Sequence, residues 1–347
     1  MILYNLENKA VLKERIKNDP TPRTTISFYR YTPIDNPQDF RDKLYIDWSK
    51  FGVLGRIYLA LEGINAQFSI PNKKLSDFKT YLDNNESLKD MPLKIAVEDN
   101  GKSFYKLDIK IKHKIVADGL DDKAFDTTNV GNHLTAKEWN QYMAEKDTIV
   151  VDMRNYYESE IGHFKGAITP DVDTFKEELQ VVKEELKNQK NTKVLLYCTG
   201  GVRCEKASAF LKSEGFTDVN QLYGGIIDYA RQCQAENLEN KFLGKNFVFD
   251  ERLSEKISND IIAKCHQCDK PCDTHTNCAN NHCHLLFIQC TDCQKKYDGC
   301  CTPHCQNVIK LSKDQQKEIY RGEKYSYNKQ IYRSRLRPKL KDICQNI

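Results

Sequence analysis

The stretch Lys193-Val194-Leu195-Leu196-Tyr197-Cys198-Thr199-Gly200-Gly201-Val202-Arg203-Cys204-Glu205-Lys206 decides the architecture at the middle of this chain. Val194 to Tyr197 is a wholly apolar run of the kind buried on both faces in a parallel sheet. Glu205 to Glu214 reads as a helix stopped by Gly215. Between them stands a cysteine followed by two glycines and an arginine. Glycine tolerates positive φ, so this loop can turn its backbone N–H groups inward. With the positive end of the following helix, the donors of Thr199, Gly200, Gly201 and Val202 would stabilise an anion at the sulfur, and Arg203 adds a fixed cation. A thiol so placed is expected to be a thiolate at neutral pH and a nucleophile, which makes Cys198 and Arg203 the candidate catalytic pair. The plainer reading is a structural cysteine beside a tight turn. The arrangement alone does not choose between sulfur and phosphate chemistry.

Working outward, Thr148 to Asp152 and Val219 to Leu222 are two more short strands, and Phe175 to Asn188 is helical. Leu134-Thr135-Ala136-Lys137-Glu138-Trp139 carries the Thr-x-x-Glu signature of a capping box at the front of this region. The alternation predicts an α/β domain with a parallel sheet over residues 135–236, its ligand site at the carboxyl ends of the strands. Asp152 and Arg154 end the first strand at that same edge and are possible pocket residues, with a structural ion pair as the alternative. Cys204, a third possible pocket residue, is either a resolving thiol for an oxidised Cys198 or a space-filling residue.

Residues 1–23 form an N-terminal extension, and 24–118 read as a second domain. There Thr25 to Tyr31, Gly55 to Ala60, Ala66 to Ile70 and Leu93 to Val97 are strand-like, with helices carrying Phe40, Leu44 and Trp48, then Leu75, Phe78 and Leu82. The order βαββαβ predicts a ferredoxin-like α+β sandwich. Phe104 to Val116 alternates, placing Lys106, Asp108, Lys110, Lys112 and Lys114 on one face and Leu107, Ile109, Ile111 and His113 on the other. That basic face is either a solvated sheet surface or a track for phosphates. Residues 119–134 are expected to be a linker.

Of the 14 cysteines in 347 residues, ten fall between Cys265 and Cys305 and none precedes Cys198. Clustered cysteines without a secretory signal read as metal ligands and reactive thiols in a reducing compartment, hence the cytoplasm. Residues 237–308 lack apolar periodicity and need a staple. Cys265-x-x-Cys268 and Cys290-x-x-Cys293, with Cys272, Cys278, Cys283, Cys300, Cys301 and Cys305, supply enough thiolates for two tetrahedral zinc sites. His266, His275, His282, His284 and His304 can substitute, so the pairing stays open, and an iron–sulfur cluster is the competing reading. Residues 309–347 form a basic tail, with eleven Lys or Arg from Lys310 onward against four acidic residues. It is either solubilising or a contact for RNA. The net charge of +4 is too small to diagnose a nucleic-acid partner, and no run approaches the roughly 18 apolar residues of a membrane span.

Val150-Val151-Asp152-Met153-Arg154, then Glu158, then Gly162-His163-Phe164-Lys165-Gly166-Ala167-Ile168 resembles the opening signature of rhodanese domains. The Cys198–Arg203 loop, Gly215-Phe216 and Leu222-Tyr223-Gly224-Gly225 resemble the rest. In that family the cysteine carries persulfide sulfur, and the related phosphatases have a loop one residue longer than this one. Together with Leu61-Glu62-Gly63-Ile64-Asn65 and the string from Cys265 to Cys278, the chain resembles the bacterial rhodanese-domain tRNA uridine hydroxylases over about Thr24 to Cys305. The resemblance implies oxygen-dependent conversion of the wobble uridine, position 34, to 5-hydroxyuridine, with the tRNA anticodon arm as partner and an unidentified electron donor. A persulfide sulfurtransferase and a non-catalytic, zinc-stabilised RNA-binding module are the alternatives.

Overall fold

The computed structural model describes residues 3–321 and 340–345. Two compact units emerge. The first comprises Met1–Tyr156, Phe164–Lys241 and Val248–Lys256, the second Tyr157–His163, Phe242–Phe247 and Ile257–Ile347.

In the first unit, helix α1 (Lys9–Asn18) precedes β1 (Arg23–Tyr31), α2 (Pro37–Lys50), β2 (Leu54–Ala60), β3 (Gly63–Pro71), α3 (Leu75–Asp83), β4 (Lys94–Ile95) and β5 (Leu107–Ile111). The sheet order is β4-β1-β3-β2-β5, a ferredoxin-like sandwich with β5 added parallel to the β2 edge. Period-two alternation explains its two faces. Ile26, Phe28, Ile57, Phe68 and Ile109 form one face and pack with Leu44 and Trp48 of α2 and Phe78 and Leu82 of α3. Trp48 sits 5.2 Å, centroid to centroid, from both Phe68 and Phe78. The opposite face is polar and aromatic: Ser27 lies across from Gln67 and Lys94, and Tyr29 across from Asn65.

The segment from Phe104 to Val116 departs from the expected alternation. Only Leu107–Ile111 is a strand, His113 is exposed and Ile115 is buried, because the chain turns inward after the edge strand ends. Nor are its lysines a free row of cations. Lys110 pairs with Asp108 at 3.1 Å, Lys112 lies 5.5 Å from the Tyr58 ring centroid, and Lys114 bridges Asp118 (2.7 Å) and Asp122 (2.9 Å). Of the two readings of this face, these pairings favour a solvated sheet surface over a track for phosphates.

The rest of the first unit is built on β6 (Asn132–Leu134), α4 (Ala136–Met143) and β7 (Ile149–Asp152). The short elements α5 (Tyr156–Ser159) and β8 (Gly162–Phe164) follow, then α6 (Phe175–Glu185), β9 (Val194–Tyr197), α7 (Val202–Ser213), β10 (Val219–Leu222) and α8 (Gly225–Glu236). The sheet β6-β10-β9-β7 is wholly parallel. Thr135 and Glu138 close the capping box at α4. Residues 119–134 are not a free linker: Asn132–Leu134 pairs along β10, and Asp122 meets Lys206 at 3.0 Å.

Lys206, 3% exposed, also reaches Glu62 at 2.7 Å. Glu62 in turn accepts the Ile115 N–H at 2.8 Å. Tyr29 donates to Glu205 at 2.8 Å, and Tyr31 to the Val202 carbonyl at 3.1 Å. These contacts seat the polar face of the N-terminal sheet against the front of α7.

The second unit holds β11 (Phe242–Phe247), whose Lys245 N–H donates to Ile161 at 2.8 Å. After β12 (Ser254–Lys256) of the first unit come β13 (His275–Asn277), β14 (Leu286–Ile288), α9 (Thr291–Lys296), α10 (Pro303–Ile309), α11 (Lys313–Ile319) and α12 (Leu340–Gln345). The expected boundary at 236/237 therefore falls differently. Residues 157–163 fold with the Cys-rich unit, while 248–256 return to the first. Residues 322–339 and 346–347 of the basic tail lie outside the described residues. Among the described residues no helix is long and apolar enough to cross a membrane.

Removing one member of an ion pair strands its partner, here Glu62, while Asp122 keeps Lys114, so Lys206→Met should lower unfolding stability by about 3 kcal/mol. Chemical denaturation of the variant beside Lys206→Arg, which keeps the charge, measures it. Equal midpoints for all three proteins would show that Glu62 and Asp122 do not depend on this cation.

Candidate active site

Helix α7 begins at Val202, three residues earlier than its sequence suggests. Gly201, at φ 99°, is the left-handed N-cap that allows this, and a Cβ there would stand 2.8 Å from Tyr29 Oη. The early start brings the first-turn amides of Arg203 and Cys204 to the sulfur of Cys198, beside the Gly201 N–H at 3.1 Å. The loop's carbonyls face away: Ile226 and Ile227, at the start of α8, donate to Cys198 O (3.0 Å) and Thr199 O (3.2 Å). That approach requires Gly225, since a Cβ there would lie 2.5 Å from Cys198 O.

Cys198 is 1% exposed. Burial pushes its thiol up. The Cys204 hydrogen bond, the Arg203 guanidinium and the amides of Arg203 and Cys204 outweigh that, bringing it from 9.0 down to about 5. Burial, then the bond to Cys198, pushes the Cys204 thiol well up, so Cys204 remains the protonated donor.

A cavity of ≈ 450 Å³ opens on this loop, within the size range of small-ligand sites. Cys198, Thr199, Gly200, Val202 and Arg203 line one side. Tyr29, Arg56, Tyr58 and Lys94, from the polar sheet face, line the other. Arg252 and Glu255 also border it; burial raises the Glu255 carboxyl to about 7 despite Arg252 at 2.5 Å.

Three expected pocket residues do not border this cavity. Asp152 and Arg154 are fully buried, bonded to each other at 2.6 and 2.8 Å, and Asp152 also accepts from Tyr197 at 2.8 Å. Cys204 hydrogen-bonds the Cys198 sulfur, and Gly201 is covered by Tyr29. Sequence reading missed Tyr29, Lys94 and Glu255. For the first two a signal existed: each lies in a strand on the face opposite apolar neighbours. Glu255 has no such pattern around it.

In the second unit, Cys265, Cys268, Cys290 and Cys293 form one cluster and Cys278, Cys283, Cys301 and Cys305 another, all sulfurs of each within 4.8 Å of one another. The pairs interleave along the chain. Individual separations are 3.6 Å (Cys268–Cys290), 3.7 Å (Cys283–Cys301) and 3.8 Å (Cys301–Cys305). These match the ~3.8 Å edge of a tetrahedron with 2.3 Å metal–sulfur arms and are far beyond a disulfide bond. The Cys290 N–H donates to Cys265 Sγ (3.3 Å) and the Cys301 N–H to Cys278 Sγ (3.4 Å). Each cluster can hold a metal ion. Cys272 and Cys300, both expected among the ligands, belong to neither, and no histidine joins them among the described residues. His266 instead spans Glu160 (3.0 Å) and the Ile288 N–H (3.1 Å).

A cysteine cradled between a parallel strand and a helix N-terminus, behind a ferredoxin-like sheet, defines a rhodanese-domain protein with an N-terminal α+β module. Family models agree: the UPF0176 acylphosphatase like domain matches residues 23–115, the Rhodanese-like domain 135–232 and the Rhodanase C-terminal model 243–306. A tRNA uridine(34) hydroxylase of Leptospira interrogans is 56% identical over 99% of this chain and 94% of its own. Proteins of the same name from Pectobacterium atrosepticum and Yersinia pestis are 50% and 48% identical, each across 92% of this chain and 91% of theirs. The chain belongs to the tRNA uridine(34) hydroxylase family.

The depressed Cys198 pKa fixes a sign. Its contribution to folding is fully present above about pH 9 and fades as pH falls through about 5. Thiolate absorbance, taken as the difference between wild type and Cys198→Ser, should rise in a step centred about pH 5. Arg203→Ala should move that step upward. A step near pH 9 in the wild type would contradict the assignment.

Proposed function

We propose that this protein hydroxylates the wobble uridine, position 34, of tRNA to 5-hydroxyuridine, with molecular oxygen as co-substrate and Cys198 as nucleophile. The observation carrying the reading is a low-pKa cysteine among the residues that line a cavity of base-accepting size, in a chain whose relatives bear the name tRNA uridine(34) hydroxylase. Uracil is electron-poor at C6. The Cys198 sulfur bonds there, and the C5–C6 π pair moves towards C5, which bonds an oxygen atom of dioxygen. Two electrons and two protons from an external two-electron reductant complete O–O cleavage and release water. Loss of the C5 proton then expels the sulfur and restores the double bond. Arg203 and the amides around the sulfur hold the anion before and after. Anticodon-arm bases suit this site because unpaired loop bases can swing out into a pocket.

Both cysteine clusters are proposed to be structural zinc sites. Four sulfurs mutually within 4.8 Å enclose one four-coordinate ion and leave no room for a multi-iron core. Zinc would hold together a unit with little apolar core. The fourteen free cysteines, eight of them in those clusters, fit a reducing cytoplasm.

In a strain lacking the gene, a plasmid copy should restore 5-hydroxyuridine derivatives in tRNA nucleosides measured by mass spectrometry, and Cys198→Ser should not. Loss of thiolated nucleosides in that strain would instead identify a persulfide sulfurtransferase; no change in either class would leave an RNA-binding module. Elemental analysis of protein purified without added metal should find two zinc ions per chain, matching the two clusters. Cys268→Ser and Cys305→Ser should each lose one. Stoichiometric iron with a visible absorption band would refute the zinc assignment.

A further inference from the structure

Four cations border the cavity, and three are engaged. Arg56 donates to Gln67 (2.8 Å) and the Phe249 carbonyl (3.0 Å), Arg252 pairs with Asp250 and Glu255, and Arg203 serves the reactive loop. The fourth, Lys94, is 6% exposed, and its ammonium makes no hydrogen bond or ion pair with any described residue. What it touches is the Tyr29 ring, with Nζ 4.5 Å from the centroid. Its stem runs beside the reactive loop, since a Cβ built on Gly200 would lie 4.0 Å from Lys94 Cδ.

An ammonium removed from water with no acceptor in direct contact is costly, even with anions nearby, and such a group is well placed to give its hydrogen bonds to a ligand. Its position is held on both sides. The strand register sets Lys94 opposite Ser27, and the ring beneath it is fixed by the Tyr29–Glu205 hydrogen bond. Burial pushes the Lys94 amine down, against the upward pull of Asp228, Cys198 and Glu205, which makes its proton easier to share.

We infer that Lys94 Nζ is the hydrogen-bond donor to the C4 carbonyl oxygen of the bound uracil, stabilising the enolate formed when Cys198 bonds to C6. This rests on the proposed function. The electron count is closed: the Sγ–C6 bond forms, the C5–C6 π pair becomes the C4–C5 π bond, and the C4=O4 π pair settles on O4 beside Lys94. Nothing is oxidised in this step. Returning the pair to C5 lets that carbon take up either a proton or an oxygen atom. O2 of the ring does not receive the charge, so a donor at O4 is the one that accelerates addition. Lys94 is thus assigned as a catalytic residue that also selects for a carbonyl, rather than an amino group, at C4 of the base.

The addition step can be read without oxygen. With an anticodon stem-loop carrying tritium at C5 of uridine 34, reversible addition and reprotonation at C5 release tritium to solvent. Anaerobic wild-type protein should show this release. Lys94→Met should release tritium about 100-fold more slowly, the cost of removing one oxyanion donor, with a much smaller loss of stem-loop affinity and a folded protein by thermal unfolding. Lys94→Arg, which keeps a cationic donor, should recover part of the rate. Exchange by Lys94→Met at the wild-type rate, or a loss of affinity as large as the loss of rate, overturns the inference. So does a wild type that hydroxylates tRNA yet releases no tritium, and in that case the hydroxylase reading stands. Wild-type protein unable to restore 5-hydroxyuridine derivatives in cells sinks the reading beneath it.

Discussion

A thiolate buried to 1% exposure exists only where surrounding dipoles and charges exceed the cost of removing it from water, and the site of this protein is arranged around that requirement. The donors come from three places: the Gly201 amide, the first turn of α7, and the Cys204 thiol. Arg203 supplies the full charge. The start of α8 completes the arrangement indirectly, by taking the loop carbonyls that would otherwise repel the sulfur. The left-handed Gly201 and the close approach at Gly225 are the backbone conditions for all of it.

The N-terminal sheet makes this loop a site instead of an exposed tip. Ferredoxin-like sandwiches put helices on one sheet face, and here the other face carries Ser27, Tyr29, Arg56, Asn65, Gln67 and Lys94. Such a face must be solvated or matched by polar groups, and it is matched by the loop, by Glu205 and by the cavity. Lys206, Glu62 and Asp122 hold the match with ion pairs away from the Cys198 sulfur. Residues quoted within one motif thus divide their work. Cys198 to Arg203 make the anion site, and Glu205 and Lys206 fasten it to the neighbouring sheet.

The second unit solves a different problem. With few apolar residues, it gathers its strands and short helices around eight sulfurs in two interleaved clusters. Interleaving ties the segment before β13 to α9 and the β13–β14 connection to α10, so neither half can leave without opening a cluster. With a metal ion in each cluster, such cross-linking would substitute for a core that a region of this size and composition cannot build.

Much of this was legible in the sequence because it is local. Strand period, capping box, the Cys-Thr-Gly-Gly-Val-Arg loop and the Cys-x-x-Cys spacings each depend on residues within a few positions of one another. They determined the α+β and parallel α/β domains, the loop that holds Cys198 and the supply of clustered cysteines. Tertiary structure alone decided what depends on distant segments meeting. It hydrogen-bonded Cys204 to the Cys198 sulfur, sealed Asp152 and Arg154 away from the cavity, and left Cys272 and Cys300 outside the clusters. It also brought Tyr29 and Lys94 to a loop more than a hundred residues away in the chain, as the Tyr29–Glu205 bond shows. The physical reason is that alternation tells which face a side chain takes, whereas the partner of that face is chosen by packing and charge pairing across the whole fold.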